Sequence, residues 1–415
     1  MRYYRFPEKK IWSILFAVFL LAQLLLTRSG MAAALIGFTA QQMLMLACIG
    51  LAGVLFLAVN RNDWKSVLTD SRLVIATVFS LAMLVPMVIK QDWQMMYGTI
   101  LLGALLAVFL SYFVTLQETA KCYVLILCAL SAYSLVATYL LRLLPDNGIL
   151  EVPRFTTAVG LEYYQFGLAN VSITHVASRN FGVFREPGVH QFFILIALYL
   201  NNYCVEWHKE RSMWLANVLL AVTMLSTMAT GGVAALGLFV IVVYFEKKLY
   251  RDKRLLWLAV AVVAAAAVIV GISFAQKNGI YWFLYNTLLE KFINKTDSVT
   301  ERADAIRANV QYFLSNPLVG QKMRTVLHGV NNNTVSTLIL YAVFGAVGGT
   351  LNVLSWIALV WKKDRAFWAN PALLLVLFMG FNTQNLTWDL YFWLFPVMAL
   401  VERSVPVLDK IRRKV

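Results

Sequence analysis

The sequence predicts an all-α, polytopic membrane protein with about twelve transmembrane helices and two long external loops. Three observations lead there. Of the 415 residues, 60% are hydrophobic and only 14% are charged, a balance foreign to soluble domains of this length. Apolar runs near the ~20 residues needed to cross a bilayer core recur from end to end. Lysine and arginine gather in short connectors between those runs, the pattern of cytoplasm-facing loops. Residues 1–415 therefore read as a single integral membrane domain.

Cutting at charged and Pro/Gly breaks gives segments at about 11–27, 31–59, 73–89, 95–116, 121–144, 188–205, 213–229, 232–246, 255–274, 335–360, 366–381 and 388–402. The first follows Met1-Arg2-Tyr3-Tyr4-Arg5 and Lys9-Lys10 and has no small-residue cleavage site after it. It reads as a spanning helix, not a removed signal peptide. Segments 213–229 and 232–246 are short and meet at Thr230-Gly231-Gly232. Two tilted spans and a re-entrant hairpin both fit them, because each returns the chain to the same side. With the N-terminus inside, the connectors 61–72, 206–211, 246–254 and 361–365 are cytoplasmic, as is the tail with Arg412-Arg413-Lys414. This puts about 23 Lys and Arg inside and about 13 outside, most of the latter near or within two long loops, where the charge rule has little force. Both termini are then cytoplasmic.

The formal net charge of +15 does not point to nucleic acid, because the basic residues lie in membrane-flanking connectors. Cys48, Cys122, Cys128 and Cys204 fall in or at the ends of apolar runs and show no metal-ligand spacing, so neither disulfides nor a zinc site is expected. The apolar segments hold almost no Asp, Glu, Lys or Arg away from their ends, unlike ion-coupled transporters, which place such groups near the midplane. A Walker-type phosphate loop and a metal-binding D-x-D pair are absent too. No cofactor or metal is expected, and the ligand is expected at the outer surface.

The long loops, about 145–187 and 275–334, are where chemistry is expected. The first opens on the turn Pro145-Asp146-Asn147-Gly148 and carries Arg154, Glu162, Arg179, Arg185 and Glu186. Its middle, Tyr163-Tyr164-Gln165-Phe166, suits an interfacial aromatic belt or a sugar-stacking surface. The second begins with Tyr281-Trp282-Phe283-Leu284-Tyr285, read as an interfacial helix. A soluble helix follows, with Ser298 and Glu301 as a capping box and Asn316-Pro317 as its stop. Asn331-Asn332-Asn333-Thr334 suits the cap of the next span.

Charged residues in these loops sort by spacing. Arg307 has Asp304 three residues before it, an ordinary surface pair. Arg302 has no acid at ±3 or ±4 and must find an anion elsewhere. Arg302 and Arg307 are about 140° apart around the helix and do not share a face. Phe184-Arg185-Glu186-Pro187-Gly188 places a cation and a carboxylate at the start of the sixth segment, with Pro187 suited to a first helical turn. A helix start binds anions, and a guanidinium fork matches phosphate oxygens. The plainer explanation is a carboxylate set against the helix dipole beside a snorkelling arginine. Histidines His328, His190 and His175 are external, and His208 lies in a basic connector.

Four stretches together resemble the bacterial O-antigen and capsular polysaccharide polymerase family (Wzy-type), related to the O-antigen ligases. They are Phe184-Arg185-Glu186-Pro187-Gly188-Val189-His190-Gln191; Thr227-Met228-Ala229-Thr230-Gly231-Gly232; Ser298-Val299-Thr300-Glu301-Arg302 with Asn316-Pro317-Leu318-Val319-Gly320; and Asn331-Asn332-Asn333-Thr334 with Tyr341 and Gly345. The resemblance implies metal-independent, inverting glycosyl transfer in the bacterial cytoplasmic membrane. A growing glycan on undecaprenyl diphosphate would be moved onto a lipid-linked repeat unit at the outer face, in lipopolysaccharide or capsule biosynthesis. A chain-length regulator and a flippase are the partners it implies. Under it, Arg185, Arg302, Arg179, Arg307, Asn331 and Asn332 bind substrate, and Glu186 or His328 is the base. Asn331 stands where ligases carry histidine, which favours a polymerase over a ligase. The remaining alternative is a non-enzymatic polysaccharide transporter or flippase.

Overall fold

The computed structural model describes residues 9–26, 29, 40, 42–51, 54, 70–143, 154–156, 162–173, 178–254, 257, 268, 272, 275–277, 297–330 and 333–412. Helices dominate: α1 Lys9–Leu26, α2 Gln42–Leu51, α3 Ser71–Lys90, α4 Met95–Leu110, α5 Leu116–Leu143, α6 Pro187–Tyr203, α7 Glu210–Ser226, α8 Thr230–Glu246, α9 Asp297–Ser315, α10 Met323–His328, α11 Ser336–Val360, α12 Ala369–Phe381 and α13 Leu390–Arg412. Among the described residues four have the length and apolarity to cross a membrane, within α3, α5, α11 and α13; five further apolar helices are shorter.

The side chains show why these helices belong in lipid. On α3, Val74, Val78, Leu81, Val85 and Val88 form an exposed apolar stripe at spacings of 4, 3, 4 and 3, while Ile75, Phe79, Ala82, Met83 and Pro86 are buried on the other side. A helix apolar all round, with one apolar face uncovered, is stable against acyl chains and not against water. On α7, Leu215, Val218, Val222 and Leu225 repeat the pattern. The all-α membrane class follows from this.

At the centre lies α6. Every residue from Val189 to Asn201 is buried, and α13 packs beside it through Tyr391 and Phe392. Connectors fall at two ends of the bundle. At one, Ser29 bridges Phe184, the Gln191 amide donates to Thr383 Oγ1 at 2.7 Å, and Ser336 Oγ donates to the Gln384 carbonyl at 2.7 Å. At the other, Ser71 Oγ donates to Asp409 at 2.5 Å, Leu116 N–H donates to Glu402 at 2.7 Å, and Arg365 pairs with Glu246 at 3.3 Å. Helices α7 and α8 reach both ends. Ser226 accepts from Asn180 and Gly232 meets Gln191 at the first end, whereas Asn217 bonds Asn202, and Glu246 bonds Tyr203, towards the second. The pair thus runs between the two ends of the bundle.

A kink in α11 anchors the second long loop. Gly345 sits at φ 67°, ψ −166° and breaks the helical ladder, which strands backbone groups on both sides of it. The turn after α9 supplies partners. Gln321 N–H donates to Ala342 O at 2.7 Å and Ala346 N–H donates to Pro317 O at 2.7 Å. Lys90 donates to the Val343 carbonyl and, at 2.9 Å, to Gln321 O. Gly320, at φ 73°, lies so close that a Cβ would strike the Val343 carbonyl. Asp92 holds the next helix, since its Oδ2 accepts from Met323 N–H at 2.6 Å and from Tyr97 OH at 3.0 Å. Asp92→Ala leaves two buried donors without that acceptor, each worth about 1–3 kcal/mol. Trypsin should then cut at exposed Lys322 and Arg324 much faster than in wild type, and Asp92→Asn should be largely protected. Equal cleavage of wild type and Asp92→Ala would contradict this anchoring.

Two expectations change here. The first long loop is not only a belt: it folds into an antiparallel sheet of β1 Arg154–Thr156, β2 Glu162–Phe166, β3 Ala169–Ile173 and β4 Ser178–Gly182, in the order β1-β2-β3-β4. Tyr163-Tyr164-Gln165-Phe166 is its β2, paired with β3 from Tyr163↔Ser172 to Phe166↔Ala169. The polar run before α11 does not cap it either. Val335 is the N-cap residue, without a side-chain cap bond, while Asn333 turns away to Asn309 and Val326 O. Helix α9 runs over Asp297–Ser315, so Ser298 and Glu301 both lie in its first described turns, and the residues before Asp297 lie outside the described ones. Its end at Ser315, just before Asn316-Pro317, is as expected. The turn at 145–148, the stretch 281–285 and His175 lie outside the described residues.

Candidate functional site

The charged pair Arg185-Glu186 is held by the strand before it and the helix after it. Tyr133 of α5 caps the β2–β3 turn, donating to Phe166 O at 2.8 Å and accepting from Leu168 N–H at 3.3 Å. Asn180 on β4 ties the sheet to two helices, with Nδ2 to Ser134 Oγ at 3.1 Å and to Ser226 Oγ at 3.0 Å. Gly182, at φ 59°, packs on the ring of His190 where any Cβ would collide. His190 is buried, with Nδ1 3.4 Å from Asn180 O; its role is to support the strand. Phe184 then stacks on Phe193 at 4.5 Å, and its carbonyl accepts from Asn170 Nδ2 at 2.9 Å. Arg185 and Glu186 follow on a fixed base.

Pro187 opens α6, as the sequence predicts, and Glu186 is its N-cap residue with no side-chain cap bond. The Glu186 carboxylate instead lies 3.7 Å from Arg185 Nε, the two side chains being 29% and 41% exposed for Arg and Glu. Hence the carboxylate is not consumed by capping. It orients the guanidinium and stays accessible, both at the positive end of a helix buried from Val189 to Asn201.

The second loop presents its candidates differently. Along α9, Ala305, Asn309 and Tyr312 follow Arg302 at spacings of 3, 4 and 3, and this face docks: Ala305 and Asn309 are fully buried. Arg302 lies on the same line one turn beyond, exposed, and pairs with no acid among the described residues. Desolvation by neighbouring chain lowers its pKa from the usual arginine value, with Glu301 acting the other way. Arg307 faces outward and pairs with Asp304 at 3.5 Å, both well exposed. It is an ordinary surface pair. His328 ends α10 and is exposed.

Arg179 sits on β4 opposite Ser172. Strand alternation sends it to the sheet face opposite Asn180, away from α5 and α7, and burial lowers its guanidinium below the usual arginine range. Nothing among the described residues brings it to Arg185. Asn331 and Asn332 lie outside the described residues.

One connector that carries no charge until Asp389 joins both halves. Phe381-Asn382-Thr383-Gln384-Asn385-Leu386-Thr387-Trp388-Asp389 links α12 to α13. Asn382 Oδ1 accepts from Thr337 N–H at 3.0 Å, Leu386 N–H donates to Ser336 Oγ at 2.9 Å, and Thr383 accepts from Gln191. Gly188, two residues past Glu186, lies against the Gln384 side chain. Asn333 carries the connection on to α9 through a reciprocal amide pair with Asn309, at 2.8 and 3.1 Å. The charged ledge and the Arg302 helix are thus tied through the starts of α6 and α11. The signal for this connector was its density of amides and hydroxyls between two apolar runs.

No protein-family model, curated protein or solved structure matches this chain.

Proposed function

We propose that the chain is a polysaccharide polymerase of the bacterial cytoplasmic membrane. It transfers a growing glycan from undecaprenyl diphosphate onto a lipid-linked repeat unit at the outer face. The observation that carries this is Arg185-Glu186: a cation and an accessible carboxylate, rigidly seated at a helix N-terminus, at the bundle end where the Arg302 helix is docked. We place that end outside, with about twelve spans and both termini cytoplasmic, from the distribution of Lys and Arg.

The chemistry asks for two things. Attack of an acceptor hydroxyl on the anomeric carbon breaks the bond from that carbon to the diphosphate oxygen, and negative charge grows on the leaving diphosphate. Arg185, the N–H groups at the start of α6 and Arg302 supply positive potential there. The hydroxyl proton passes to a carboxylate or imidazole. Glu186 is the first candidate because it shares the ledge with Arg185; His328 on α10 is the second. Arg307 has its own partner and is left out of the substrate set.

A polysaccharide gel of a strain lacking the gene tests the class. A polymerase leaves surface glycan capped with a single repeat. Loss of a ligase leaves polymer on the carrier lipid, and loss of a flippase traps repeat units inside; either result would overturn the assignment. A chain-length regulator and the flippase are the protein partners we expect.

A further inference from the structure

Behind the Arg185-Glu186 ledge lie buried polar groups that the folded chain leaves without partners. The starts of α6, α8 and α11 meet there and the connector 382–389 closes one side. Gln191, 2% exposed, donates its amide N–H to Thr383, but its carbonyl oxygen has no hydrogen-bond partner among the described residues. Thr334 and Thr337, 4% and 8% exposed, carry hydroxyls in the same condition. The half-buried side-chain amide of Gln384 makes no hydrogen bond among the described residues either. Its neighbours explain how these groups come so close. A Cβ at Gly188 would lie 2.8 Å from Gln384 Nε2, one at Gly231 would lie 2.9 Å from Thr383 Cγ2, and one at Gly232 would strike Gln191. Three glycines on two helices let the Gln384, Thr383 and Gln191 side chains pack directly against the backbone, so the amides and hydroxyls converge on the junction.

Buried polar groups in folded proteins nearly always have partners, and leaving them without one is costly. We propose that this junction is a saccharide subsite that takes the ring hydroxyls of the sugar unit beside the diphosphate, a placement that rests on the function proposed above. The groups are neutral and mix donors with acceptors, which suits hydroxyls. A phosphate would demand a cation, and the cations stand outside on the ledge. A metal cation is the competing occupant.

The test uses the full-length protein in lipid nanodiscs and saturation-transfer NMR with free N-acetylglucosamine, N-acetylgalactosamine, glucose, galactose and rhamnose as probes. At least one sugar should receive saturation from wild type. The near-isosteric variants Thr337→Val and Gln384→Met should each weaken that binding about three- to tenfold, the weight of one neutral hydrogen bond, and Thr337→Ser should retain it. No saturation of any probe, or equal binding by wild type, Thr337→Val and Gln384→Met, overturns the subsite. So does binding of sodium or calcium with no sugar bound. Arg185→Ala separates this claim from the function it rests on. Sugar binding kept while that variant still makes long polymer upholds the subsite and sinks the diphosphate role. Polymer lost in Arg185→Ala with no sugar bound by wild type does the reverse.

Discussion

Arg185→Ala is expected to abolish long-chain polymer while the protein stays in the membrane at its normal level. The side chain projects from a ledge whose position is set by Phe184, Asn170 and Pro187. Folding should therefore survive its removal. Transfer should not, because removing one preorganised group that stabilises developing charge slows such reactions by about 10²- to 10³-fold. Arg185→Lys keeps the charge but loses the planar fork that matches two phosphate oxygens, so it should rescue little. Glu186→Gln and His328→Ala then separate the two candidate bases by the chain length each supports. Normal chain length in a fully expressed Arg185→Ala strain would remove this residue from the diphosphate site.

The largest effect on stability is expected at Gly345. Its φ of 67° and ψ of −166° belong to a region that only glycine occupies comfortably, and a Cβ would strike the carbonyl of Leu318. Backbone strain and this overlap together should cost roughly 2–5 kcal/mol in Gly345→Ala. The kink could relieve the clash only by moving the turn 316–320, which would break the bonds from Gln321 to Ala342 O and from Ala346 to Pro317 O. The expected observation is a lower unfolding temperature in detergent together with loss of protection at Lys322 and Arg324. An unchanged unfolding temperature would show that the kink does not hold the second loop.

How far the sequence went depended on how local each feature is. Spans such as α3 and α11 were legible because length and apolarity are properties of a single run. Pro187 marked the start of α6, and Asn316-Pro317 marked the end of α9, because proline acts on its own helix. The Arg302 and Arg307 faces were also legible, since helical spacing alone separates them. The sheet was not. Its strands span three to five residues each, too short for alternation to stand out, and their seating depends on Tyr133 of α5 reaching the β2–β3 turn and on Asn180 reaching α5 and α7. Asparagine favours a local cap, but at Asn333 the tertiary bond to Asn309 prevails. The connector 382–389 looked like a plain break because its partners, Gln191, Ser336 and Thr337, lie at least 45 residues away in sequence.

The most direct test is reconstitution. A strain lacking the gene should accumulate the undecaprenyl-diphosphate-linked repeat unit, which can be extracted and given to the purified protein in nanodiscs with no nucleotide added. The account predicts a ladder of glycans spaced by one repeat, with release of undecaprenyl diphosphate. EDTA should leave the ladder unchanged and Arg185→Ala should abolish it. A single unextended band from active-state wild-type protein, or a ladder that Arg185→Ala reproduces in full, would contradict it.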